Sequence, residues 1–504
     1  ALLVGPSPRL TRGFRLRALR ALRPKRPMSV QMVLAGTLRG ALLCRREQSS
    51  RGRFGSPETL SAIPCPHDGP QDPEFPLRLR SKLRTALCFL APLVGCAGDS
   101  TESGSPDQSI PLPGLGARLS IEPIGPLISA RAEGELHALY ELRVGGFDPR
   151  ALRIDSVAVY AGGAMDRALA RYAASELDGM VESLGTGDPL LVAPGGESVL
   201  FFHVALSDGP GAHALTHRFW LSSESGGTSP GLVLDTGPLA SEPDHGPLLD
   251  PPLRGGPWYA HAGPGNRTHH RRTLAPRAGV LTMDQRFATD WIRLRVDREG
   301  GAQSLGPDWE GTAGEPVHAV ADGTVVTVVD GIPDEPVGEL GASGLVVDWE
   351  TISGNRVVVD MGEGHYAWYE HLENGSVGVQ EGDPVSKGQV LGRVGNSGNT
   401  SHPHLHFAVT DSPVSGQGRG LPYRFRCFGW LSRVAPMPSW DEVAEGDPAE
   451  IGLAGPLVPL GTSRFRANEI PLGGAVVDFA EEAIVGCESG SVEQIPVDAQ
   501  PNGT

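Results

Sequence analysis

The sequence predicts an all-β protein, with a β-sandwich-like N-terminal domain followed by a second sheet domain. Three observations carry this. Gly (68) and Pro (45) are abundant among the 504 residues, which favours turns and short strands over long helices. Short runs with period-two alternation recur, as in Ala138-Leu139-Tyr140-Glu141-Leu142-Arg143-Val144. Turn signals such as Gly362-Glu363-Gly364 and Glu381-Gly382-Asp383 separate those runs.

Residues 113–225 read as the sandwich, with strands at Leu136–Val144, Ile154–Tyr160, Ser198–Val204 and His217–Leu221. Within it, residues 164–184 read as helical. The Gly/Pro-rich stretch 226–257 reads as a linker. Residues 258–430 form the second domain, with strands at Val317–Val329, Gly354–Asp360, Tyr366–His371 and Val390–Val394. Residues 431–504 are a C-terminal extension with one strand at Gly474–Phe479.

The first hundred residues read differently. Residues 1–84 hold 17 Lys and Arg against 5 Asp and Glu, while the remaining 26 basic and 54 acidic residues carry a net charge of −28. A body that acidic repels nucleic acid. Basic Arg78-Leu79-Arg80-Ser81-Lys82-Leu83-Arg84 precedes a short apolar run ending in Leu93-Val94-Gly95-Cys96, the pattern of a secretory signal. The run is too short for a stable membrane span.

Leu93–Cys96 resembles a bacterial lipobox, which implies cleavage before Cys96 and a lipid anchor on it. On this reading 78–96 is the signal peptide and 97–112 a Ser/Gly/Asp-rich tether. Residues 1–77 are then a mis-called gene start or a disordered extension. The chain is expected to be exported and held in the cell envelope, at the outer membrane or periplasmic face. Ala97 after Cys96 favours the outer membrane, by resemblance to lipoprotein sorting. Cys427 and Cys487 alone remain beyond the anchor, and an exported chain is able to pair them.

The chemistry centres on Pro403-His404-Leu405-His406-Phe407. Histidines at i and i+2 on a strand share a face, so both imidazoles reach one cavity. Histidine is both a zinc ligand and the usual general base near neutral pH. The Gly395-Asn396-Ser397-Gly398 loop upstream allows close backbone approach. His402 shares the parity but precedes Pro403 and belongs to the loop.

The order of motifs matters more than any one of them. Ala321-Asp322-Gly323-Thr324-Val325, Gly354-Asn355-Arg356, Tyr369-Glu370-His371-Leu372, Gly382-Asp383-Pro384-Val385 and Lys387-Gly388-Gln389-Val390-Leu391-Gly392 lead to the His-x-His. This series resembles the lysostaphin/LytM-type zinc metallopeptidase family over residues 265–410. The resemblance implies a LytM-like sheet or barrel domain with an open groove, Zn2+ as cofactor, and peptides of peptidoglycan as substrate. By position it implies Asp290 and His406 as zinc ligands and His371 and His404 as catalytic histidines. His404 would take a proton from water, and His371 would orient it or stabilise the oxyanion.

One position departs from the family. A histidine normally stands four residues before the aspartate, and here that residue is Arg286, which cannot ligate a metal. His270, in Thr268-His269-His270-Arg271-Arg272, is either the third metal ligand or a loop residue. His318 and His365 read as surface residues of strands.

Two function classes follow. One is a zinc endopeptidase of the cell envelope. The other is a degenerate, non-catalytic LytM-type module that binds cell wall or activates a cell-wall amidase partner. The hairpin at Lys387 also resembles lipoyl and biotinyl carrier domains, but lacks their context around the lysine. Lys387 reads as a solvated turn residue.

Overall fold

The structure, a computed structural model, describes residues 118–163, 165–206, 214–223, 231–242, 246–266, 268–277, 279–299, 302–434 and 464–479. The signal segment, Cys96 and Cys487 lie outside the described residues. Almost every described element is a strand; helix is limited to Ala174–Leu177, Trp309–Thr312 and a 3₁₀ turn at His270–Arg272. Among the described residues, no helix is long and apolar enough to cross a membrane.

The N-terminal part is a β-sandwich. Strands Leu127–Ala132, Glu135–Gly146 and Glu197–Leu206 pair antiparallel on one side, and Leu152–Ala161 pairs with Ala168–Ala173 and Ala214–Ser223 on the other. The two sides share one core that includes Tyr140, Leu142, Phe202, Val157, Phe219 and Leu221. Alternation explains the Glu135–Gly146 strand. Its even-numbered residues Ala138, Tyr140, Leu142 and Val144 fill the sandwich core, while Leu139 belongs to the core of the second domain. The polar face of this strand is therefore covered as well, and Glu141 is wholly buried.

Three segments differ from their expected form. Val317–Val329 is not one strand but two, Pro316–His318 and Gly323–Val329, paired in separate sheets on either side of the bend at 320–322. Residues 164–184 are not one helix: the described part forms strand Ala168–Ala173, a single turn at Ala174–Leu177 and strand Val181–Ser183. Ala, Leu, Arg and Tyr in this stretch have adequate helix propensity, but edge pairing with Leu152–Ala161 overrides it. The Gly/Pro-rich stretch at 226–257 contains strands Leu232–Asp235 and Leu239–Glu242, both paired with Ala214–Ser223. The second of these also pairs parallel with Leu127–Ala132 and joins the two sides of the sandwich.

The second domain is a long sheet. Its strands run in the order Pro384–Val385, Gly323–Val329, Asn355–Asp360, Tyr366–Leu372, Leu405–Thr410, Thr289–Glu299, Gly255–His261, Ala475–Phe479, Phe428–Arg433 and Arg464–Arg466. The predicted strand at Gly474–Phe479 is thus an interior strand of this sheet. Trp258, Trp291, Tyr369, Phe407, Phe425 and Phe479 fill the core behind it. Fully burying one such large apolar side chain contributes about 1.5–3 kcal/mol. That packing makes the central strands a rigid base for the groups on the opposite face. Cys427, also buried, is disulfide-bonded.

Candidate metal and catalytic site

Sheet register builds the site. Asp290 lies directly opposite His406, His406 opposite Glu370, and Asp290 opposite His261 on its other side. Directly paired residues of antiparallel strands point to the same face. Four ionisable residues from four strands therefore form one row across the sheet, and all are buried.

Asp290 is the centre of convergence. His406 Nδ1 donates to Asp290 Oδ1 at 2.9 Å. His270 Nε2 stands 3.3 Å from Asp290 Oδ2, and His404 Nε2 stands 3.5 Å from Oδ1. The His270 and His406 rings meet edge to face at 4.6 Å between centroids. His269 approaches the carboxylate only to 3.7 Å, with its side chain 56% exposed, whereas His270 is 3% exposed.

The hydrogen-bond network assigns tautomers. His270 Nδ1–H donates to Ala262 O at 2.9 Å, His404 Nδ1–H to His402 O at 2.8 Å, and His371 Nδ1–H to Ser397 O at 2.7 Å. The Nε2 atoms of His270 and His404 are turned toward Asp290, where a protonated ring donates to the carboxylate and a neutral ring presents a lone pair. A neutral imidazole lone pair facing a carboxylate is satisfied by a cation between them. Metal-ligating histidines commonly donate their second nitrogen to a carbonyl in this way. The donor set of His270 Nε2, the Asp290 carboxylate and His406 Nδ1 fits zinc, which takes three protein ligands from nitrogen and oxygen in a catalytic site.

Burial and charge act against each other here. Burial alone would lower His406, but Glu370, Asp290 and Asp284 outweigh it and raise the imidazole to about 9. Burial holds His404 below its ordinary value, with Asp290 opposing, so it is neutral and able to accept a proton near pH 7. His371 lies well below its ordinary value through burial and the neighbouring His404 and His406. For Asp290, burial is outweighed by His270, His404 and His406, and its carboxyl stays well below the usual range.

His371 adopts φ +60° near the end of its strand, a conformation few non-glycine residues take. The glycine loop holds it there: His371 N–H donates to Ser353 O, and Gly395 N–H donates to His371 O. A Cβ on Gly395 would lie 2.3 Å from the Glu373 backbone, so that loop needs glycine to approach so closely. The His371 and His404 rings stand 4.8 Å apart.

The five residues that the sequence singles out thus come together: Asp290, His270, His371 and the His404/His406 pair, from four separate segments. His318 bonds Gly388 O, and His402 packs at a tilt against Trp309, 4.5 Å between ring centroids; both serve other contacts. Arg286 is also away from the centre. Its guanidinium pairs with Glu141 of the sandwich at 2.5 Å and donates to Ile124 O at 2.8 Å. Sequence reasoning misses Glu370, which with His371 and His406 forms a second group of potential ligands, and His261 beside Asp290. Glu370 immediately precedes His371, but strand parity alone places neighbours on opposite faces; the positive φ of His371 brings both to the site. An open cleft adjoins His406 and is lined by Trp349, Trp368, Glu370, Thr273 and Gln285 among others.

Residues 302–417 match the model of peptidase family M23. The match begins beyond His270 and Asp290 and takes in His371, His404 and His406. The chain is 33% identical over 127 residues to the glycyl-glycine endopeptidase ALE-1 of Staphylococcus capitis, covering 25% of this chain and 29% of that protein. It is 29% identical over 132 residues to the peptidoglycan DD-endopeptidase ShyA of Vibrio cholerae, covering 26% of each. The chain thus spans under a third of the length of these curated relatives. Among solved structures, the catalytic domain of lysostaphin from Staphylococcus simulans aligns at 23% identity, over 24% of this chain and 77% of that one, with a TM-score of 0.17. Residues 302–417 thus carry a likeness to peptidase family M23 that takes in His371 and the His404/His406 pair.

Proposed function

We propose that this chain is a zinc-dependent endopeptidase that hydrolyses peptide bonds of peptidoglycan. The observation that carries the reading is the convergence of His270, the Asp290 carboxylate and His406 in one buried cluster, with His270 oriented by Ala262 O. In this reading these three hold the metal, and Arg286 is not needed as a ligand. A bound zinc ion supplies Lewis acidity, acidifying a coordinated water and polarising a peptide carbonyl. His404 accepts the proton through Nε2, and its bond to His402 O keeps that atom aimed at the site. His371 donates from Nε2 only when protonated, so in its neutral form it orients water as an acceptor.

The substrate class rests on the relatives, whose names are those of a glycyl-glycine and a peptidoglycan endopeptidase. The location proposed is outside the cytoplasm, with a lipid anchor at Cys96. The proposed domains take 113–225 as the body of the sandwich and 258–430 as the body of the peptidase, with strands Leu232–Asp235 and Leu239–Glu242 joining the first and Ala475–Phe479 the second.

The test is hydrolysis of purified sacculi by zinc-loaded protein. His404→Ala is expected to lower the rate roughly 10²- to 10⁴-fold, the usual contribution of a general base, while zinc content stays at one equivalent. Wild-type protein that binds zinc yet releases no peptide fragments would favour the non-catalytic, amidase-activating module instead.

A further inference from the structure

The third candidate ligand does not come from the sheet. His270 sits in a 3₁₀ turn, His270–Arg272, that precedes the central strands. What holds this turn is largely the sandwich domain. Arg271 is fully buried and donates from Nε and Nη2 to Glu141 Oε1 at 3.0 and 2.6 Å. The same guanidinium donates to Tyr140 O and Phe202 O, both sandwich carbonyls. Arg272 lies over the Phe201 ring at 3.7 Å and donates to Gly179 O. The second oxygen of Glu141 pairs with Arg286 at 2.5 Å.

One buried carboxylate therefore clamps two guanidiniums, each a few residues from a site residue: Arg271 beside His270, and Arg286 four before Asp290. We propose that Glu141 of the sandwich is a positioning residue for the metal site, setting His270 in ligand reach of Asp290 through Arg271 and the Arg286 pair. The proposal rests on the reading of His270, Asp290 and His406 as zinc ligands. It assigns the sandwich a role: the domain completes the site instead of merely flanking it. Neutralising Glu141 would leave two buried guanidiniums facing each other without a counter-charge. They would move apart, and Arg271 would carry the neighbouring turn with it.

The experiment uses the full chain, stripped of metal. Zn2+ affinity is measured by competition with a chromophoric chelator, and ligand number by the visible spectrum of the Co2+ form. Glu141→Gln is expected to weaken Zn2+ binding roughly 10- to 100-fold, the range for loss of an outer partner of a ligand. Its Co2+ spectrum should move toward that of His270→Ala. Arg271→Lys keeps a charge on Glu141 but loses the fork to Tyr140 O and Phe202 O, and should behave alike; it carries the test if Glu141→Gln does not fold. Phe219→Leu, in the sandwich core, supplies a variant of lowered Tm that should keep wild-type affinity and spectrum. Folded Glu141→Gln or Arg271→Lys that binds Zn2+ like wild type, while His270→Ala does not, overturns the proposal. Equal loss in Phe219→Leu also overturns it, because destabilisation alone would explain the effect. Wild-type affinity in His270→Ala overturns the ligand reading, and the positioning role with it.

Discussion

Two sets of buried histidines sit in this molecule, and their surroundings separate them. In the sandwich, His217 is fully buried and accepts the Tyr140 hydroxyl at Nε2, 2.7 Å away. His137 donates to Ala132 O and accepts from His203. Burial pushes His217 down to about 3, with no carboxylate opposing it. In the groove, burial is as complete, yet His406 rises to about 9 because Glu370, Asp290 and Asp284 face it. Burial by itself says that an imidazole is satisfied. Convergence of several imidazoles on one carboxylate says that a cation belongs among them.

The sharpest way to break this contrast is a pair of variants. Asp290→Asn should weaken Zn2+ binding by more than roughly 100-fold, beyond the range for loss of an outer partner. His217→Gln, equally buried but in the sandwich, should leave zinc content at one equivalent. Both are read by metal analysis after dialysis. Similar zinc loss in the two would mean that the contrast reflects general fragility.

The raised His406 gives the next effect. The ring must be neutral to ligate, and without metal it holds its proton up to about pH 9. Zinc affinity should therefore rise with pH below that value, by roughly tenfold per unit where one proton is displaced. Calorimetry in buffers of different ionisation enthalpy counts the proton. Zero protons released at pH 7 would refute an imidazolium at His406.

His217 should show the opposite face of the same physics. Its folded value of about 3 lies below the ordinary 6.5, so the unfolded chain binds the proton first. Stability from this group is full above pH 6.5 and is lost as pH falls toward 3. At pH 5 the loss amounts to about 2 kcal/mol. Urea unfolding at pH 7.5 and pH 5 measures it, and His217→Gln should remove about that share of the slope.

Much of the groove is legible in the sequence. The His-x-His spacing puts two imidazoles on one face, and the order of motifs points to Asp290 and His371. What local pattern does not contain is register. That Asp290 faces His406 is a property of strand pairing across 116 residues. On the proposed reading, the choice of His270 over His269 depends on Arg271 finding Glu141, 130 residues away in sequence. In the sequence Arg286 reads as a missing metal ligand, because no local pattern shows that its guanidinium turns toward the sandwich. The Glu135–Gly146 alternation reads as a strand, and it is one, but a charged residue in such a pattern normally faces water. Glu141 does not, because a second domain covers that face.

The smallest effect concerns Lys387, whose hairpin also resembles a carrier domain. Its ammonium lies 3.1 Å from Asp250 Oδ2 with the lysine side chain 44% exposed, and its backbone N–H donates to Asp322. The lysine end is solvated and Asp250, 12% exposed, keeps a second partner in Arg426 at 3.2 Å, so the pair contributes about 0–1 kcal/mol, and less at high salt. Lys387→Ala should therefore lower stability by no more than about 1 kcal/mol and leave Zn2+ affinity unchanged. A carrier lysine would behave differently: intact mass of the chain purified from its own host would show a lipoyl or biotinyl adduct lost in the variant. An ordinary mass at Lys387 leaves the hairpin as scaffold, which is what its place at the far edge of the sheet, beside Gly323–Val329, requires of it.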